Sequence, residues 1–380
     1  MDIQFLKSAN RYSRRWRQVA RSLIYIIVMV IALGSAWFFT PATVHYHITE
    51  NYEFSSAIQD ATVYLAIIIP KTGPYQIVEN TRVIWGGNQE NISYPFLDVV
   101  KMHGSIKAEE TLTATIDYDV ILRQGPARWT APVMSYQLQP QTELESDEPA
   151  IIQQALKIAS GQTRADAYAL YAFTSAYLSW PKGTRIGGSQ SAIHAYTTRV
   201  GGCGEFANLA VALHRAVHIP SQSITGLVLP AYPPYWSGSR IWNHPGGAHA
   251  WIEVHTESGW ELADPSWGSA WPGPLKWLWF GRNDGSHLSY GESGYYTQLF
   301  NELTDWGKQN GMLLGAMSNP LHFVSATSVD GVTITPGVTL QKGWDGRWVV
   351  TASLYLLLIV SMGLLERHLK KFERNQGNHS

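Results

Sequence analysis

The sequence is poor in cysteine and in charge. Its 380 residues include one cysteine, Cys203. No intrachain disulfide can form, and neither a four-cysteine zinc site nor a cysteine-ligated iron–sulfur cluster can be built. Charged residues make up 15% of the chain, against about 25% in ordinary soluble domains, so part of it is not expected to face water. With 28 Lys+Arg and 29 Asp+Glu the formal net charge is −1, which gives no overall basic signature for nucleic acid. The aromatic and hydrophobic content, with 16 Trp and 19 Tyr, excludes an acidic disordered chain. The length fits about two domains.

The near-neutral total hides a segregation of charge. Residues 1–22 hold Lys7, Arg11, Arg14, Arg15, Arg17 and Arg21 against Asp2, a net +5. Residues 366–380 hold Arg367, Lys370, Lys371 and Arg374 against Glu366 and Glu373, a net +2. The stretch between them carries −8. Each basic end abuts an uncharged run, 22–40 and 349–365, of 19 and 17 residues. Such lengths suit a membrane-spanning helix. Trp37, Phe38 and Phe39 close the first run, and Trp344 and Trp348 precede the second, as aromatic residues do at the interface. Basic flanks outside both runs predict cytoplasmic tails at 1–21 and 366–380 and one transmembrane helix at each end, with everything between them extracytoplasmic. A cleaved signal peptide is the competing reading of the first run, and a buried core helix that of the second.

Residues 41–138 read as a β-sandwich-like domain. TVHYHI, TVYLAIIIP, QIVENTRVIW and TLTATIDYDV alternate with period two and are rich in β-branched residues. In the last of these Leu112, Ala114, Ile116, Tyr118 and Val120 share one face, with threonines and aspartates on the other, the pattern of a half-buried antiparallel strand. Residues 139–149 are polar and acidic and read as a linker. From 150 to 345 helical patterns come first and strands follow, which makes the chain α+β. The helix opening at Cys203 carries an apolar stripe of Phe206, Leu209, Ala210, Leu213 and Val217, and this predicts one core-facing side.

Chemistry concentrates around that helix. A thiol in the first turn meets unpaired N–H groups and the helix dipole, which favour a thiolate. A thiol nucleophile also needs an imidazole to move protons and a polar group to orient the imidazole. AHAWIEVH supplies His249 on a strand, and the strand WELAD ends at Asp264. If Thr256–Gly259 is a hairpin turn, His249 and Asp264 lie at neighbouring ends of the pair.

GGCGEFANLAVALHRAVHIPSQSITGLV followed by GAHAWIEVHTESGWELADPSWG resembles the transglutaminase-like superfamily. Three separated blocks occur in order over roughly residues 165–268. The resemblance implies a papain-like α+β core, a Cys203–His249–Asp264 triad, a thioester intermediate and no cofactor. LAIIIP and then Gln76 are similar to the sandwich that often precedes this core in bacterial members. That places the expected protein in the cytoplasmic (inner) membrane of a bacterium, with a periplasmic catalytic domain. Gly204, Glu205 and Asn208 depart from the polar residue, Asp and His common in the family, which bears on substrate preference. Release of the thioester by water makes a peptidase or amidase, the favoured outcome. Release by an amine makes a transglutaminase. A non-catalytic peptide-binding module on the same fold is the reading from another class.

The expected partners are a protein or peptide substrate outside the cytoplasm and the lipid bilayer; nucleic acid is not among them, and the sequence names no protein partner. The oxyanion needs donors; the Cys203 backbone N–H is one, with Gln190 and Trp180 as further candidates. Trp236, Trp242 and Trp251 are candidates for a substrate cleft, because Trp gives large rigid contacts. His214 and His218 have a metal-compatible spacing, but Arg215 stands where a metalloprotease has its glutamate. They read as surface or capping residues, and no metal is expected.

Overall fold

The computed structural model describes residues 42–342 apart from 58–59, 96, 182–189, 230–234, 239–246, 270–279, 310–322 and 327–331. It also describes Ile24, Tyr25, Ile27, Val28, Ile31 and Ala32 of the first uncharged run, and Ser353, Tyr355, Leu356, Leu357, Ile359, Val360 and Gly363 of the second. Both tails expected to be cytoplasmic lie outside the described residues. The chain divides into two units, 1–42 with 345–380, and 43–344.

In the first unit the described residues of both runs are helical. Their large apolar side chains, from Ile24 to Ile31 and from Tyr355 to Val360, are exposed. Among the described residues no helix is long and apolar enough to cross a membrane.

The second unit is built from alternation. In β1 (Ala42–Ser56) every second side chain from Val44 to Phe54 points inward. One of them is Glu50, whose carboxylate accepts from Tyr52 Oη at 2.9 Å and Tyr118 Oη at 3.0 Å. A buried charge is tolerated where its lone pairs are met. β6 (Thr111–Pro126) buries Ala114, Ile116, Tyr118, Val120 and Leu122, the face read from its alternation. β1 and β6 sit in a sheet with β3 (Gln76–Trp85), β9 (Tyr235–Gly238), β12 (Arg282–Asp284) and β15 (Val332–Lys342). A second sheet runs β14 (Phe323–Ala326), β2 (Ala61–Pro70), β5 (Leu97–Ile106) and β4 (Asn88–Ser93). One apolar core joins the two. Strands late in the chain thus complete both sheets: β15 pairs with β1 along its whole length and β14 pairs with β2. The boundary expected near 139–149 is crossed by pairings in both directions, because an unpaired edge of β1 or β2 is met by the returning chain.

A third, five-stranded sheet runs β13 (His287–Glu292), β8 (Ser221–Val228), β10 (Gly247–Thr256), β11 (Gly259–Ala263) and β7 (Arg128–Trp129). The β10–β11 hairpin turns at Thr256–Gly259 as expected. Gly259 has φ +94°, a left-handed conformation that suits glycine. Helices α1 (Pro149–Ile158), α2 (Thr163–Tyr177), α3 (Ala192–Thr198) and α4 (Cys203–Ala216) share a core with this sheet. The stripe expected on α4 is only part of what is covered: every side chain from Glu205 to Arg215 is buried. α4 is a central helix, ringed by the other three helices and by β8 and β10.

That central position corrects the reading of His214. It is fully buried, not a surface residue, with Nδ1 2.6 Å from Ala210 O and Nε2 3.0 Å from Ala167 O. Burial lowers its pKa against these bonds and favours the neutral ring. His218 takes φ +61° just after α4.

Candidate active site

α4 begins where two glycines meet a tethered loop. Ser179 N donates to Arg199 O at 3.0 Å, and Gly201 N donates to Ser179 O at 3.1 Å, so 179–180 lies beside the start of the helix. Glu205, in the first turn, accepts from Gly202 N through Oε2 and from Gln190 N through Oε1, both at 2.7 Å. Asn208 Nδ2 donates to Gln190 O at 3.0 Å. Two of the three residues that depart from the family pattern, Glu205 and Asn208, thus hold Gln190, and Glu205 also holds the turn before Cys203. Because Cys203 is the first residue of α4, its backbone N–H has no partner within the helix.

Cys203 is partly exposed and unbridged. His249, on β10, bonds Asp264 Oδ2 through Nε2 at 2.7 Å, which leaves Nδ1 for Cys203. Burial opposes charge on His249. The Asp264 charge and hydrogen bond, then a hydrogen bond and charge interaction with Cys203, outweigh burial and raise its pKa to about 10. Asp264 and Cys203 thus both favour the imidazolium form of His249. Asp264 is buried yet held well below the usual carboxylate range, because the charge and bond of His249 and the bond of His287 overcome burial.

Asp264 owes its position to the helix after it. As N-cap of α5 (Pro265–Gly268) its Oδ1 accepts from Ser266 N at 2.9 Å, Ser266 Oγ at 2.6 Å and Trp267 N at 3.1 Å. Such capping needs a short polar side chain. The structure therefore brings Cys203, His249 and Asp264 together in that order.

The remaining candidates separate. Trp180 is exposed and lies against Phe206 at 5.7 Å between ring centroids, next to Gly202. Gln190 stands beside the site, but its backbone N–H is taken by Glu205. Trp251 is a correction. It is fully buried, with its indole N–H on Tyr75 Oη at 3.2 Å, so it supports the site from beneath and walls no open cleft. The reason is that the face of β10 carrying it packs on Tyr75, Ala127, Ile224 and Leu262. Trp236 lies on β9, whose backbone alone is described, and Trp242 lies outside the described residues.

One residue escaped the sequence reading. His287, the first residue of β13, is buried and places Nε2 3.1 Å from Asp264 Oδ2, the oxygen that His249 also bonds. Its ring meets Trp251 and Trp267 edge-on, at 5.0 and 4.9 Å. Nothing in GRNDGSHLSYGE singles it out; β13 reaches the site only by pairing with β8. His249, Asp264 and His287 offer three donor atoms within 4.8 Å of one another. The contacts of 2.7 and 3.1 Å are hydrogen-bond distances, shorter than the roughly 3.3 Å between neighbouring ligands of a tetrahedral zinc. The trio fits a hydrogen-bonded group better than a metal cage.

Residues 151–265 match the model of the transglutaminase-like superfamily. No curated protein matches the chain. Among solved structures, a protein described as a candidate cysteine protease from Cytophaga hutchinsonii aligns at 15% identity, over 78% of this chain and 91% of its own, with TM-score 0.46. The periplasmic domain of TgpA from Pseudomonas aeruginosa aligns at 15% identity, over 58% of this chain and 88% of its own, with TM-score 0.32. Residues 151–265 thus form a segment of the transglutaminase-like superfamily, and it is this segment that sets a thiol at the start of a central helix near a strand histidine and a hairpin-end aspartate.

Proposed function

We propose that this protein is a thiol enzyme that acts on amide bonds of a protein or peptide substrate, with hydrolysis as its outcome. The observation that carries this reading is the His249–Asp264 hydrogen bond at 2.7 Å, with His249 also interacting with Cys203. The Cys203 thiolate attacks the amide carbonyl, and its carbon–sulfur bond forms as the oxyanion develops toward the Cys203 backbone N–H. His249 gives its proton to the leaving nitrogen, and the carbon–nitrogen bond breaks to leave a thioester. Water, deprotonated by His249, then releases the acid and restores the thiol. Transamidation replaces that water with an amine. Water needs no binding site of its own, which favours hydrolysis over transfer.

The same reading puts the enzyme at a membrane. The described residues of both uncharged runs form helices with exposed apolar sides, surfaces that lipid would cover. Basic residues flank both runs on their outer ends, and this supports cytoplasmic tails and an extracytoplasmic catalytic unit.

Alkylation by iodoacetamide at pH 6–7 tests the thiol chemistry. Cys203 of the full-length protein is expected to react faster than glutathione, where ordinary thiols are mostly protonated. His249→Ala is expected to abolish that advantage. A folded wild type that reacts no faster than glutathione overturns the enzyme reading in favour of a peptide-binding module. Incorporation of a labelled primary amine without peptide cleavage overturns hydrolysis in favour of transfer.

A further inference from the structure

We propose that His287 is a positioning residue that shares Asp264 Oδ2 with His249 and thereby keeps His249 acidic enough to release its proton to the leaving group. The proposal rests on the thiol-enzyme reading and adds a residue to it.

The geometry separates the two oxygens of Asp264. Oδ1 is fixed by three donors from Ser266 and Trp267, so the carboxylate keeps its orientation without help from β13. Oδ2 faces two imidazoles, His249 at 2.7 Å and His287 at 3.1 Å. A second donor on one oxygen offsets part of the negative charge that the first donor feels. His287 therefore weakens the hold of Asp264 on the His249 proton. Its ring is held in place, since Trp251 and Trp267 box it edge-on and Ser286 Oγ lies 3.4 Å from Nδ1. Among the described residues, the other ionisable groups that interact with the pair are Cys203, from α4, and Tyr171, from α2. Cys203 acts on His249 directly. Tyr171 is buried beside Asp264, and its phenol is pushed well above the usual range, first by burial and then by the Asp264 charge, so it stays neutral.

The chemical reason for such an arrangement lies in the two duties of His249. As imidazolium it must hold the thiolate partner, yet in the next step it must lose a proton to an amide nitrogen. Proton transfer is most effective when the donor is not too weak an acid. A lone buried carboxylate pulls the imidazole toward weaker acidity, and a second donor on Oδ2 moderates that pull.

His287→Phe fills the same aromatic box without the donor, and His287→Gln restores an N–H. In the full-length protein, His287→Phe is expected to move the alkaline limb of kcat/KM upward by about 0.5–1 pH unit. It is also expected to lower kcat by about 3–10-fold with KM unchanged. His287→Gln is expected to recover both. A residue that only fills space would leave the limb where it is. A limb that stays or falls in folded His287→Phe overturns the proposal, as does a glutamine variant that behaves like phenylalanine. Titration of His249 by NMR of ¹⁵N-histidine-labelled protein reads the same shift without any substrate, so an absence of turnover, which would sink the function, leaves this test standing. Should His287→Phe fail to fold, the wild-type spectrum decides: His287 Nε2 must carry a proton throughout the range in which His249 titrates, and an unprotonated Nε2 overturns the proposal.

Discussion

At the scale of single residues, the site is a set of charges arranged so that each fixes the next. The Asp264 carboxylate keeps His249 protonated, and His249 in turn holds Asp264 ionised. Asp264→Asn removes the charge and keeps the shape. His249 should then titrate well below about 10, toward the ordinary imidazole value near ~6.5, and the amide can hold the ring in the wrong tautomer. The expected loss is about 10²–10⁴-fold in kcat, as for the equivalent change in other triads, with the alkaline limb displaced downward. A folded variant within about threefold of wild type at every pH would remove Asp264 from the mechanism. That His249 and Asp264 meet was legible in the sequence because the hairpin register counts the spacing. His287 was not, because its approach depends on β13 pairing with β8, 23 residues after Asp264. The burial of Trp251 was hidden for a related reason: alternation shows which residues share a face, but not what covers that face.

At the scale of elements, α4 explains both a success and a failure of pattern reading. Its start was readable from Gly201-Gly202 and Cys203. Its apolar stripe suggested one buried side, yet small residues between the large ones (Ala207, Ala210 and Ala212) let neighbours close on all sides. Glu205 is the polar residue this burial requires. It caps the helix through Gly202 N and holds the preceding loop through Gln190 N. Glu205→Ala should therefore cost more than a simple N-terminal cap, about 2–3 kcal/mol, because two N–H groups lose their acceptor. Thermal unfolding of the full-length protein should show a drop in Tm of several degrees. Glu205→Gln, which keeps one acceptor, should lose less. Equal Tm values for the alanine variant and wild type would show that the two bonds contribute nothing.

At the scale of the whole second unit, polar side chains join the sandwich sheets to the catalytic sheet. Gln76 donates through Nε2 to Ser289 O and accepts from Ser289 N, at 2.8 and 2.7 Å, so one side chain pairs with β13 as a strand would. The second link is the one that responds to pH. Glu253, on β10, accepts from Tyr75 Oη at 3.0 Å and from Gln222 Nε2 at 2.7 Å. Burial dominates, and with the nearby Glu292 charge it raises Glu253 from 4.5 to about 7 against those bonds. The sign follows from linkage. Between these two values the folded protein holds a proton that the unfolded chain has lost, so Glu253 withdraws stability as pH rises from about 4.5 to 7. The full penalty above about pH 7 is on the order of 3 kcal/mol. Glu253→Gln cannot ionise and escapes it. The Tm of the variant minus that of wild type should therefore grow from about pH 5 to pH 7 and level off by about pH 8, whatever the fixed cost of the substitution. Paired melting curves of full-length protein across that range measure it. A difference that stays constant with pH would mean that Glu253 is already ionised in the folded protein and that the junction tolerates its charge.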